Sequence, residues 1–118
     1  MKIRTMLEVG IAAAAALLVA WPALNAAEGD PVAGKGKKTT CAGCHGIPGY
    51  RTAFPEVYSV PKLGGQHPAY IVKALQAYKS GERSHPTMRA VAAGLSEKDM
   101  ADLAAYYGSD AAKAADGK

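Results

Sequence analysis

Both cysteines of the chain fall in one short segment, TTCAGCHGIPGY at residues 39–50, as Cys41 and Cys44 with His45 directly after the second. Two thiols and an imidazole packed this tightly raise four chemistries. A structural zinc site needs four ligands; His45 stands too close to Cys44 for the usual spacing, and no second cysteine pair follows. A dithiol redox pair is expected beside a βαβ unit, and no strand pattern flanks the segment. A disulfide across so short a loop constrains little chain entropy and leaves His45 without a role. Covalent attachment of haem c uses all three residues, because Cys-x-x-Cys-His is its signature. Thiols three residues apart each reach one vinyl group of the macrocycle and form thioethers. The next residue then lies under the iron as an imidazole ligand. Ala42 and Gly43, both small, let the backbone approach the porphyrin rim.

The iron then needs a sixth ligand or an open position. Beyond residue 26 there are two methionines, Met88 and Met100, and two further histidines, His67 and His85. Met100 falls on the apolar stripe of a helix, where methionine is usually a core filler. His67 precedes Pro68 as a helix N-cap. Met88 sits in a proline-containing stretch read as loop, free to point inward, and is preferred as the axial ligand by analogy with Met/His haems. His85 is its rival, and an open or water-bound site the third option.

These residues must be positioned by a small chain of 118 residues, 49% apolar and 20% charged, which fits one globular domain and neither a disordered nor a fibrous one. Residues 1–26 have the organisation of a secretory signal: Lys2 and Arg4, an apolar run from Val9 to Ala20, then Pro22. That run is short of the roughly 20 residues of a membrane span. Cleavage is expected after residue 26 or 27; membrane attachment would follow only if the segment were retained. Export to the periplasm is the localisation this implies. The domain, residues 27–118, carries twelve Lys/Arg against nine Asp/Glu, a net charge of +3 with neutral histidines. Eight of the basic residues lie between Gly34 and Met88, against Glu56 and Glu82 alone, so the middle of the chain is positive. That suits redox partners with acidic docking faces. Nucleic acid is not an expected partner, because no binding motif is present. Seven aromatic residues make a thin core, the situation in which small domains recruit a cofactor.

Three helices can be read. The first starts with Asp30 as N-cap and Pro31 at N1 and runs towards the cysteines, weakened by Gly34 and Gly36. The second starts at His67-Pro68, repeats Ile71, Ala74, Leu75 and Tyr78 at helical spacing, and closes at Gly81. The third opens with Ser96 and Asp99 as a capping box and ends at Gly108. Residues 46–67 and 82–88 read as loops, and 109–118 as a disordered tail. A three-helix domain with long loops looks wrapped around something that is not protein.

The segments CAGCHG, PKLGGQHPAYIVKALQAYKSGER, Met88 and LSEKDMADLAAYY make the chain similar to class I c-type cytochromes, above all the small single-haem bacterial cytochromes of the c-553 kind and one half of a dihaem cytochrome c4. The resemblance covers about residues 29–108. It implies an all-α fold wrapped around one haem c, electron transfer between a respiratory donor and a terminal oxidase or reductase, and no enzymatic activity. The alternatives are a haem enzyme or gas sensor with an open iron site, or a cytochrome subunit of a dehydrogenase or oxidase. The resemblance further implies that Pro61 offers its carbonyl to His45, that Leu63 packs on the haem, and that Gly34 lets the first helix cross the last against Leu103 and Tyr106. Lys37 and Lys38 depart from the family, which has an apolar and an aromatic residue there. They are expected to loosen that crossing, so that either the covalent haem mainly holds the helix or the two lysines serve a partner. The loop holding Tyr50, Phe54 and Tyr58 is long for the family and is expected to cover the haem edge.

Overall fold

The computed structural model describes residues 28–53 and 56–116, so the expected signal segment and cleavage position, Phe54, Pro55 and the last two residues lie outside the described residues. Among the described residues the elements are α1 (Pro31–Lys37), α2 (Thr39–His45), β1 (Arg51–Thr52), β2 (Tyr58–Ser59), α3 (Pro68–Ser80), α4 (Pro86–Ala93), α5 (Glu97–Tyr107) and α6 (Asp110–Asp116). The architecture is all-α, with one two-stranded antiparallel pair in the loop between α2 and α3.

One local device starts three of the helices: a polar cap followed by proline at N1, where the missing N–H costs nothing. The Asp30 carboxylate accepts the Val32 amide at 2.8 Å. The His67 ring accepts from Ala69 and the His85 ring from Met88, both at 3.3 Å. The third case corrects the expectation of a loop over residues 82–88. His85-Pro86 repeats the signal of His67-Pro68, and the helix-forming run after it continues as α4, so Met88 stands in the first turn of a helix. α5 has the reciprocal capping box, with Ser96 Oγ accepting from the Asp99 amide at 3.1 Å and Asp99 Oδ2 from the Ser96 amide at 3.0 Å.

The core joins Ile71 and Leu75 of α3 to Met100, Leu103, Ala104, Tyr106 and Tyr107 of α5. Ala112 belongs to the same core, which corrects the expected disordered tail. Ser109 Oγ accepts from the Ala112 amide at 3.4 Å, an alanine-rich stretch follows, and burying Ala112 docks α6 on α5.

α1 crosses α5 closely. A Cβ on Gly34 would stand 2.0 Å from the Asp102 carbonyl oxygen and 2.8 Å from Tyr106 Cβ, so only glycine fits. Lys37 and Lys38 strengthen the crossing they were expected to loosen. Lys37 Nζ lies 2.7 Å from both Asp99 and Asp102. Lys38 Nζ donates to the Tyr106 hydroxyl at 3.3 Å and lies 5.4 Å from its ring centroid. Ion pairs and a cation–π contact replace the apolar packing, so neither ammonium is held out for a partner.

Candidate cofactor site

α2 is a two-turn helix, and on it Cys41, Cys44 and His45 stand at i, i+3 and i+4, the spacing that puts side chains on one face. That face lines an apolar cleft. Pro61 and Leu63 line it from the segment before α3, Met88 and Val91 from α4, and Leu103 and Tyr107 from α5. Every site residue singled out in the sequence is thus brought to one place.

Each has a distinct setting. Cys41 is half-buried and packs against the core. Burial pushes its thiol above the ordinary range, tempered by a hydrogen bond with Tyr107. His45 Nδ1 lies 2.7 Å from the Pro61 carbonyl oxygen. A carbonyl can only accept, so the proton sits on Nδ1 and the lone pair on Nε2, the form in which imidazole ligates a metal. Met88 is half-buried against the core with its thioether side chain on the cleft wall.

The rival side chains are otherwise engaged. His85 also lines the cleft, but its Nδ1 caps α4, and its ring stands edge-on to Tyr58 at 5.9 Å and to Tyr78 at 6.3 Å. His67 caps α3 at the surface. Met100 is wholly buried in the core.

The long loop is not featureless. β1 and β2 pair Arg51 with Ser59 and Thr52 with Tyr58, and the Val60 amide donates to the Tyr50 carbonyl at 3.0 Å. Thr52, Tyr58 and Val60 line the cleft from this hairpin. Sequence reasoning missed the strands, whose signal is a few β-branched and aromatic residues on either side of Pro55. It placed Arg83 only among the cations of the positive middle, whereas Arg83 lines the cleft from the turn after α3.

The residues fit an iron porphyrin. Two thiols on one helical face, a tautomer-fixed imidazole and a thioether meet around an apolar cleft, the donor set and surroundings of a covalently held haem. A bare metal ion is poorly served: among the described residues no group of three or more His, Cys, Asp or Glu could hold one.

Comparison with known proteins agrees with the site. Residues 33–109 match the family described as Cytochrome c. The chain is 42% identical over 84 residues to cytochrome c-554(548) of Halomonas halodenitrificans, covering 69% of this chain and 96% of that protein. It is 39% identical over 83 residues to cytochrome c4 of Pseudomonas aeruginosa, covering 70% of this chain but only 39% of that longer protein. It is also 35% identical over 99 residues to a protein of Stutzerimonas stutzeri named thiosulfate dehydrogenase electron acceptor, covering 80% of this chain and 44% of that one.

Proposed function

The chain belongs to the cytochrome c family, and on that premise we propose that it is a periplasmic carrier of single electrons, its haem c joined to Cys41 and Cys44 and its iron held between His45 and Met88. Bound haem c supplies the one-electron couple of its iron. The residues of the chain tune and shield that couple. Pro61 holds the His45 ring in the ligating tautomer. Met88 would hold the iron through its thioether, which would keep substrates off the metal and favour a high reduction potential. Leu63, Ile71, Leu75 and Leu103 exclude water, and the Thr52–Tyr58 hairpin covers one side.

The observation that carries the reading is the meeting of the His45–Pro61 pair and Met88 on one apolar cleft. Exposed cations near its mouth, Lys62 and Arg83, with Arg51 on the hairpin, support docking of acidic redox proteins through weak, brief encounters. The Stutzerimonas relative's name supports a dehydrogenase as donor; a terminal oxidase, reductase or peroxidase would receive the electron. No helix among the described residues is long and apolar enough to cross a membrane. A haem-stained gel of a periplasmic fraction checks location and covalency together.

Ligation is tested by substitution. Met88→Ala should keep covalent haem, lose the near-infrared sulfur-to-iron band, bind carbon monoxide when ferrous and have a lowered potential. His85→Ala should keep the band. If His85→Ala loses the wild-type ligation and Met88→Ala does not, the sixth ligand is His85.

A further inference from the structure

The cleft wall carries two cations, Lys62 and Arg83, and no Asp or Glu. Porphyrin carries two propionate carboxylates, and an apolar cleft must either expose them or pair them. Arg83 is built for pairing. Gly81 at φ +90° reverses the chain at the end of α3, and the amides of both Gly81 and Arg83 donate to the Ala77 carbonyl at 3.1 Å. This turn lays the Arg83 side chain back over α3. Its guanidinium stands 4.6 Å from the Tyr78 ring centroid, and Nη1 lies 3.4 Å from the Tyr70 hydroxyl. Both tyrosines line the cleft. Among the described residues no carboxylate forms an ion pair with Arg83. One ring face and one N–H are thus occupied, leaving a planar fork of donors that matches a carboxylate.

We propose that Arg83, stacked on Tyr78 and steadied by Tyr70, pairs with a haem propionate at the mouth of the cleft and so sets the reduction potential and its pH dependence. Arg83 is a positioning residue in this role: it touches the macrocycle's edge and not the iron. The inference rests on haem c occupying the cleft. Covalent haem staining and the near-infrared band of the wild-type protein test that independently of Arg83.

The mechanism is electrostatic. A cation that neutralises a propionate stops that negative charge from favouring ferric iron, and it holds the propionate ionised throughout the working pH range. Other titratable groups face the same space: Lys62, His85, Tyr58 of the hairpin, Tyr70 and Tyr78 of α3, Tyr107 of α5, and His45 on α2. All of these are retained in an Arg83 variant, so the difference between variant and wild type isolates the pair.

The experiment compares R83Q, R83K and R89Q by redox titration across pH and by redox-difference infrared spectra of protein carrying haem labelled with carbon-13 at the propionates. Arg89 is an exposed arginine in the following helix that does not line the cleft. R83Q should lower the potential, add a pH-dependent step absent from wild type, and shift the labelled carboxylate band. R83K should restore the potential, because the charge remains, yet still shift the band, because the fork is lost. R89Q should match wild type in both. A labelled band unchanged in R83K and R83Q, or an R89Q shift in potential equal to that of R83Q, would overturn the proposal. If R83Q does not accumulate, the R83K band alone decides.

Discussion

At Cys41 and Cys44 one residue type serves two unequal structural settings. Both thiols lie on the cleft face of α2, but Cys41 also packs against the core, beside Tyr107. Losing either thioether loosens the cofactor around which a core-poor chain folds. Cys41→Ala should therefore reduce holoprotein yield and melting temperature further than Cys44→Ala, and the double variant should give little holoprotein. A haem-stained gel and thermal melts of the purified variants check this; a stably folded, haem-free double variant at normal yield would show that the fold does not need the bond. His85 carries the complementary lesson. A histidine three residues before a methionine has a second role that the sequence does not show: its ring caps the helix on which that methionine stands.

Among the elements, α1 crosses α5 where a side chain would not fit. Gly34 meets backbone, which cannot yield as a side chain can, so Gly34→Ala must push α1 off α5. Overpacking of this kind costs about 1–3 kcal/mol, and in a domain this small each kcal/mol lowers the melting temperature by roughly 4–8 °C. Gly36, two residues on, provides the control. A Cβ there would meet nothing within 4 Å, so Gly36→Ala should stabilise the helix by about 0.5–1 kcal/mol. Thermal melts of the pair should move in opposite directions while the haem spectrum stays the same. Equal shifts would mean that α1 propensity, and not its crossing with α5, governs stability.

The molecule as a whole is pinned at one buried carboxylate. Asp102 accepts the Asp30 amide at 2.8 Å, pairs with Lys37 at 2.7 Å and also with Lys98, and so ties the start of α1 to α5. The Asp30 amide, then Lys37 and Lys98, hold its carboxyl well below the usual carboxylate range, and Lys37 does the same, with Ser96, for Asp99. A carboxylate whose folded pKa is depressed adds stability that is fully present above its unfolded value of about 3.9 and lost as pH falls towards the folded value. Lys37, raised chiefly by its hydrogen bond to Asp102, adds stability that is present below about pH 10.4 and lost only as pH rises through its folded value. Melting temperature should therefore be flat near neutrality and fall on acidification below about pH 5. Asp102→Asn should be less stable at pH 7 and show a shallower fall between pH 5 and 2. A variant profile parallel to wild type would place the acid sensitivity elsewhere.

What is local is legible in the chain alone. The haem attachment follows from residues three and four apart on one helical turn, three helix starts from polar caps, two of them read directly from Asp30-Pro31 and His67-Pro68, and the third helix's end from Gly108, because each needs only near neighbours in the chain. The start of α4 is equally local, since His85-Pro86 repeats the signal of His67-Pro68. Tertiary structure decided the rest. Which carbonyl fixes the His45 tautomer is a contact across 16 residues, carried in advance only by family resemblance. That Lys37 binds Asp102, 65 residues away, could not be seen from a lysine standing where the family packs an apolar residue. A charge run in sequence shows no partner, and only the crossing of α1 over α5, where a Cβ on Gly29 or Gly34 would meet α5 backbone, brings the carboxylate within reach.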